Sequence, residues 1–179
     1  MHTGLSRTRR LVILALMISL NVILARFASV RIAIGGVEGI RIGLGNFPVI
    51  FAGLFLGPVA GGITGALGDI MGFMLNPMGV YMPHFTLTAF LTGAVPGMVF
   101  HLLGGPERKG YFRFLISISS GLIISSVILV PYFLNSLFGI PWWSIMPARL
   151  VSFCIVAPFY SFFAEKLSNK VPLPDVSAG

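Results

Sequence analysis

The fold is decided by residues 42–75, which read IGLGNFPVIFAGLFLGPVAGGITGALGDIMGFML. Two apolar runs, 42–56 and 59–75, are separated only by Gly57-Pro58. Glycine suits the end of a helix and proline suits the first turn of the next, so the pair predicts two helices joined by a tight turn. Asp69 is the only charged residue of the stretch. Both helices are therefore predicted to lie in lipid.

The composition of the whole chain agrees with a membrane protein. Its 179 residues are 56% hydrophobic and 9% charged, whereas soluble domains carry about a quarter charged residues. Further apolar runs lie at residues 11–25, 84–103, 111–133 and 144–167. We predict an all-α protein, a compact bundle of six transmembrane helices. It forms a single domain over residues 1–170, followed by a short flexible tail at 171–179.

Basic residues predict the orientation of this bundle. They precede the first run, flank the loop between the fourth and fifth runs, and close the sixth run: Arg7, Arg9, Arg10, Arg108, Lys109, Arg113, Lys166 and Lys170. Six spans bring all of them to one face, and the positive-inside rule makes that face cytoplasmic. Both termini are then cytoplasmic, in a prokaryotic plasma membrane. The basic residues that give the net charge of +7 are thus expected to orient the chain in membrane lipid, and no nucleic-acid partner is expected.

Four arginines fall at the opposite, outer face: Arg26, Arg31, Arg41 and Arg149. The first three border or lie in a predicted loop or re-entrant segment, residues 26–41. One interpretation is an outward pocket for an anion, because guanidinium pairs with carboxylate in a bidentate fork. The alternative is that these side chains reach lipid headgroups. For Arg149 the alternative is an intramembrane pair with Asp69.

Asp69 is the only acidic residue at membrane depth in this arrangement, which makes it a functional hypothesis by default. A structural pair or a helix cap is the alternative. Aromatic and hydrogen-bonding residues accompany it at the mouths of the fourth and sixth spans: Tyr81, His84, Phe85, Thr86, Trp142 and Trp143. Prolines rigidify the loop that carries Tyr81 and favour a pocket there, whereas the tryptophan pair is typical of an interfacial belt. Flat walls and arginines suit a flat, anionic ligand.

Sequence motifs of enzymes are missing. There is no G-x-S-x-G, H-E-x-x-H, P-loop or C-x-x-C pattern, and no two histidines have the spacing of metal ligands. We therefore expect no catalytic residue, no metal and no cofactor. An intramembrane enzyme that uses Asp69 and His84 as acid and base is an alternative, but no nucleophile accompanies them.

After the quoted stretch, residues 76–97 read NPMGVYMPHFTLTAFLTGAVPG. Residues 42–97 together resemble the substrate-binding S components of the energy-coupling factor (ECF) vitamin transporters. The glycine-rich helix with an aspartate, followed by a Pro-Gly loop with Tyr and F-T-L, is similar to the folate type. The resemblance implies that a vitamin, with folate favoured, is bound from outside. It also implies a transmembrane coupling subunit and two cytosolic ATPases as partners.

The resemblance also implies roles for particular residues. Members carry a small-xxx-small motif on the first helix that docks on the coupling subunit, and Ala15 and Ser19 occupy that place, with serine for the usual second alanine. For folate, the carboxylates are assigned to Arg26, Arg31 or Arg41 and the rings to Tyr81, Phe85 or a tryptophan. S components for cobalamin, pantothenate or a queuosine precursor remain alternatives.

Overall fold

The computed structural model describes residues 7–27, 29–34, 37–75, 81–105 and 110–170, with side chains described for residues 8–25, 44–75, 81–105 and 110–168. The helices of this part are α1 (Arg7–Phe27), α2 (Asn46–Leu56), α3 (Pro58–Leu75), α4 (Pro83–Leu102), α5 (Tyr111–Leu122), a π-helical segment (Ile123–Leu129), α6 (Val130–Phe138) and α7 (Trp142–Lys170). Two strands, β1 (Ser29–Ile34) and β2 (Val37–Gly43), connect α1 to α2.

Helices long and apolar enough to cross a membrane account for most of the described chain. They are Thr8–Ala25, Pro58–Leu75, Pro83–Leu102, Tyr111–Phe138 and Trp142–Ser168. The fourth of these is α5, the π-helical segment and α6 in one continuous run. The helical architecture predicted for these five runs is confirmed. The last two are longer than predicted, because helix continues to Phe138 and resumes at Trp142.

Helix α2 is shorter than the predicted second span. It has 11 residues, about 16 Å of helix, whereas a bilayer crossing needs about 20 residues. The prediction of helix over 42–56 is wrong at its beginning, since Ile42 and Gly43 end strand β2. Most of α2 is buried, including Ile50 and Leu54 at 1% exposure each. A helix that short and that enclosed lies inside the bundle, with α1, α3 and α4 packed around it.

The segment predicted as a loop or re-entrant stretch contains a β-hairpin instead. Strands β1 and β2 pair antiparallel, with Arg31 opposite Arg41 and Ile32 opposite Ile40. A register shift follows Ile32. Because successive residues of a strand alternate between faces, the positions of the two arginines share one face of the ribbon. Every backbone group of a segment near lipid needs a partner, and mutual pairing of the strands supplies many of them.

Contacts between helix ends define the two ends of the bundle. The Arg10 guanidinium donates to the Leu56 carbonyl at 2.8 Å, and the Arg113 guanidinium donates to the Leu103 carbonyl. Each arginine thus satisfies a carbonyl at the C-terminal end of a helix, where cations are favourable. We call this end the basic end. The strands of the hairpin, the end of α3, the beginning of α4 and the connection from α6 to α7 lie at the other end, the site end.

Glycines bring α2, α3 and α4 into backbone contact. A Cβ atom added to Gly61 would lie 2.6 Å from the Gly93 carbonyl oxygen, and one added to Gly97 would lie 2.8 Å from the Gly53 carbonyl carbon. A Cβ atom at Gly65 would collide with the backbone of Ala89. Small residues are the usual means of close helix packing in membranes. We call Gly53, Gly61, Gly65, Gly93 and Gly97 the glycine seam.

The other half of the bundle packs through large side chains. Phe55 of α2, Phe100 of α4, Phe114 of α5 and Tyr160 of α7 belong to one buried cluster. The rings of Phe100 and Phe114 lie 5.0 Å apart. Aromatic pairs of this kind stabilise beyond the area they bury. The cluster joins α2 and α4 to α5 and α7.

The π-helical segment interrupts the long helix α5–α6. The Val130 amide donates to the Ser125 carbonyl five residues back, which is the π pattern. Pro131 follows at the start of α6 and has no amide hydrogen to donate. The Ser125 hydroxyl also donates to the Gly121 carbonyl at 2.7 Å. Proline and back-bonding serine both weaken the regular α-helical ladder at this point.

Candidate ligand-binding site

A hydrogen-bond chain joins α3 to the beginning of α4 at the site end. The Thr86 hydroxyl donates to Asp69 Oδ2 at 2.7 Å, and the Tyr81 hydroxyl lies 2.7 Å from Thr86 Oγ1. A threonine hydroxyl has one hydrogen, which is given to the carboxylate. Tyr81 therefore donates to Thr86, and the chain runs from Tyr81 through Thr86 to Asp69. Within the described residues, Asp69 Oδ1 is left to accept from another donor.

Aromatic rings flank this chain on both sides of α4. The Phe73 ring lies 5.3 Å from the Tyr81 ring, and the His84 ring lies 5.0 Å from the Phe133 ring. Phe85, the residue after His84, is half-buried. Tyr81, just before α4, thus contacts α3 through one aromatic pair, and His84 in the first turn of α4 contacts α6 through the other. Flat side chains around a polar chain can bind a flat, hydrogen-bonding ligand.

The predicted arginines of the outer face lie in the segment between α1 and α2. Arg26 is in the last turn of α1, and Arg31 and Arg41 are paired positions of the hairpin. The side chains of all three lie outside the described residues. The backbone positions of these three arginines lie in one connection at the site end. Their role as ligand contacts remains a prediction.

The predicted residues of α7 lie along its first three turns. Trp142 is half-buried, and Trp143 is 84% exposed, as an interfacial ring would be. Arg149 is half-buried, and its Nε atom is fully buried. Asp69 accepts a hydrogen bond from Thr86. Pairing of Asp69 with Arg149 stays a prediction.

Ala15 and Ser19 are exposed on α1. The Ser19 hydroxyl donates to the Ala15 carbonyl of its own helix at 2.9 Å. Leu16 and Leu20 beside them are 61% and 41% exposed. The serine therefore offers no unpaired hydroxyl hydrogen on this face, and its small size is compatible with close approach of another helix.

The structure adds residues that sequence reasoning missed. Phe73 and Phe133 contact the predicted Tyr81 and His84, and Asn21 of α1 is buried beside the turn that precedes Asp69. A polar residue within a transmembrane run is itself a signal, and it could have singled out Asn21. Phe73 and Phe133 had no such signal, because the sequence contains 16 phenylalanines and no local pattern distinguishes these two. Among the residues searched within the described part, no group of acidic, histidine or cysteine side chains could hold a metal.

Comparison with known proteins gives relatives for this architecture. Folate transporter FolT of Clostridium novyi (strain NT) is 29% identical over 114 residues, a match that covers 64% of this chain and 64% of that protein. The crystal structure of FolT bound with folic acid has a TM-score of 0.75 at 24% identity, covering 95% of this chain and 97% of the other. The S component for biotin from an ECF-type ABC transporter has a TM-score of 0.68 at 21% identity, covering 93% and 94%.

The two structural likenesses establish the fold, and the family follows from the sequence. A family model described as the S component of the ECF-type riboflavin transporter matches residues 6–161. This is a family of transporter subunits and not of enzymes. Since the match covers most of the chain, the protein belongs to the family of ECF-type riboflavin transporter S components.

Proposed function

We propose that this protein is a vitamin-binding S component that takes up folate from outside the cell. The proposal rests on one observation above all, the hydrogen-bond chain from Tyr81 through Thr86 to Asp69. Within the described residues it leaves Asp69 Oδ1 available to accept from a ligand donor. The pterin ring of folate carries an amino group beside a ring N–H. Two adjacent donors of that kind match a carboxylate in a bidentate geometry.

The arginine positions support an anionic ligand. Folate ends in a glutamate with two carboxylates, and Arg31 and Arg41 lie opposite each other in the hairpin. Two like charges directly opposite on a ribbon are unfavourable by themselves. An anion that binds both would offset this repulsion. Arg26, at the end of α1, is the third candidate for the same tail.

Riboflavin is the second candidate, because the matching family is described by that vitamin. Its isoalloxazine ring is also flat and contains a fused pyrimidine, so the same aromatic walls would accept it. It offers a single imide N–H between two carbonyls, and it has no anionic group. Asp69 would then have one donor in place of two, and the arginines would have no carboxylate partner. The chemistry of this site favours folate.

The location of the charges supports a plasma-membrane protein of six spans with cytoplasmic termini. Arg10 and Arg113 lie at the basic end, where α1 begins and α7 ends. The positive-inside rule makes that end cytoplasmic. In this orientation α2 and the hairpin together form the second span, and the site end faces outside. Asp69, Thr86 and Tyr81 are then reached from the outer side.

Transport in this proposal requires partners, because the sequence contains no P-loop for ATP hydrolysis. A transmembrane coupling subunit and two cytosolic ATPases would be these partners, and the ATPases would hydrolyse ATP. The exposed side of α1 with Ala15 and Ser19 is the proposed docking face for the coupling subunit. We call it the docking face of α1.

Calorimetric titration of the purified protein with folic acid and with riboflavin tests the ligand. We expect saturable binding of folic acid and no binding of riboflavin. Arg31→Ala and Arg41→Ala should each weaken folic acid binding about tenfold or more, the loss of a charged pair. Lys166→Ala is the matched control, since this cation lies over the Phe162 ring near the basic end of α7.

The outcomes separate the two vitamins. Binding of riboflavin alone would replace folate and keep the family. Folic acid binding that is unchanged in both arginine variants would remove the hairpin from the site. Binding of neither vitamin would contradict the proposed function.

A further inference from the structure

Asn21 is a buried polar residue on helix α1, whose other side chains are mostly half-buried or exposed. Among residues 8–25, only Asn21 and Val22 are buried, and Asn21 is 7% exposed. The remaining side chains of that range are half-buried or exposed, as expected of a helix at the edge of a bundle. A buried amide in lipid is retained where it finds a hydrogen-bonding partner, since an unpaired one is costly.

The Asn21 amide lies between the beginning of α2 and the middle of α3. Its Nδ2 donates to the Gly45 carbonyl at 2.6 Å, a buried hydrogen bond between distant parts of the chain. On the other side, a Cβ atom added to Gly68 would collide with Asn21 Oδ1. Gly45 is itself tight against α1, since an added Cβ atom would lie 2.8 Å from the Ala25 Cα atom. The amide therefore has little freedom to move independently of α2 and α3.

Both neighbours of Asn21 border the candidate site. Gly68 immediately precedes Asp69, the acceptor of the hydrogen-bond chain. Gly45 lies between strand β2 and helix α2, so its position depends on the hairpin that carries Arg41. A ligand that binds Asp69 and the hairpin together sets the spacing of these two backbone segments. Asn21 contacts both of them.

The same helix carries the docking face on its exposed side. Ser19 lies two residues before Asn21, and Ala15 lies six residues before it. Neighbouring turns of one helix move together, because their backbone hydrogen bonds are continuous. A shift of Gly45 or Gly68 is therefore passed through Asn21 to the docking face of α1.

We infer that Asn21 is a positioning residue that links occupancy of the vitamin site to the docking face of α1. Folic acid then changes the affinity of the protein for its coupling subunit. By thermodynamic reciprocity, the coupling subunit changes the affinity for folic acid by the same factor. The inference rests on the proposed function and adds a regulated step to it.

The experiment measures the dissociation constant of the complete ECF module, the coupling subunit with its two ATPases, in nanodiscs with and without saturating folic acid. For the unaltered protein we expect the two constants to differ by about fivefold or more. Asn21→Leu keeps the number of heavy atoms and the branching of the side chain and removes the donor to Gly45, and the ratio should fall below about twofold. Thr92→Val is the matched control, because this buried hydroxyl bonds only to Thr88 within its own helix, and its ratio should equal that of the unaltered protein.

A second pair of variants separates coupling from folding. Gly68→Ala places a methyl group against Asn21 and should lower both the melting temperature and the ratio. The double variant Asn21→Ala with Gly68→Ala makes room for that methyl group, so the melting temperature should recover. The ratio should stay low, since the Gly45 carbonyl still lacks its donor. This result identifies the amide, and not packing alone, as the link.

Different results would overturn the inference about Asn21 and the proposed function. A ratio in Asn21→Leu equal to that of the unaltered protein would overturn the inference, and so would recovery of the ratio in the double variant. A ratio of one in the unaltered protein, with folic acid bound, would show that no coupling exists. Absence of binding of folic acid and riboflavin to the unaltered protein, measured first, would instead overturn the proposed function.

Discussion

The two halves of the bundle are built by different means. Helices α2, α3 and α4 touch backbone to backbone along the glycine seam, where side chains of any size are excluded. Helices α5 and α7 pack through the aromatic cluster against α2 and α4, and a π-helical segment interrupts the long helix α5–α6. Backbone contacts permit one geometry, whereas rings can adjust by rotation. The first half can therefore serve as a rigid frame, and the second half can adapt around a ligand.

The candidate site lies at the boundary of these halves. Asp69 and Thr86 belong to helices of the glycine seam, whereas Phe133 belongs to α6 beyond the π-helical segment. The proposed polar anchor of the site is thus on the rigid half, and one of the rings that flank it is on the other half. This division gives each half a different expected response to substitution.

The largest effect should come from the glycine seam. Gly93→Leu would force a side chain against the Gly61 backbone, and overpacking of this severity should cost about 3 kcal/mol of unfolding free energy or more. We expect the melting temperature in detergent to fall by roughly 10 °C. Gly110→Ala is the control, since a Cβ atom there meets nothing within 4 Å. An unchanged melting temperature in Gly93→Leu would contradict the rigid frame.

A smaller effect should distinguish the two sides of the site. Asp69→Asn removes the carboxylate that accepts the hydrogen bond of the Thr86 hydroxyl. The affinity for folic acid should fall about 30-fold, which corresponds to a loss of about 2 kcal/mol of binding free energy. Phe133→Ala removes a ring from the adaptable half, and the loss should be about threefold. Calorimetric titration measures both. Equal losses in the two variants would argue against the division between anchor and adaptable wall.

The smallest effect should come from Pro131. Pro131→Ala restores an amide hydrogen at the start of α6, so the π-helical segment should convert toward regular α-helix. We expect slower hydrogen exchange in residues 123–129 and a gain in unfolding free energy of about 1 kcal/mol or less. Pro158→Ala in α7 should leave exchange in that segment unchanged. Unaltered exchange after Pro131→Ala would remove proline as the cause of the π-helical geometry.

The hairpin has a sequence signal that competes with the signal for a loop. Residues 29–34 and 37–43 alternate aliphatic and polar or small residues over much of their length, and Gly35-Gly36 between them is a two-residue turn signal. The density of arginine and glycine favoured a loop in the prediction. The same error made the second span too long, because apolar residues 42 and 43 were counted as helix when they end β2.

The amino-acid sequence alone is enough to predict a helical membrane protein and the location of its five long apolar helices. Long apolar runs are unambiguous because lipid admits few other structures. Tertiary structure alone decided that Tyr81, Thr86 and Asp69 form one directed chain, that Phe133 contacts His84, and that Asn21 bridges Gly45 and Gly68. These contacts join residues that are distant in sequence. They depend on the close approach of helices that the glycine seam permits, and no local pattern of residues encodes them.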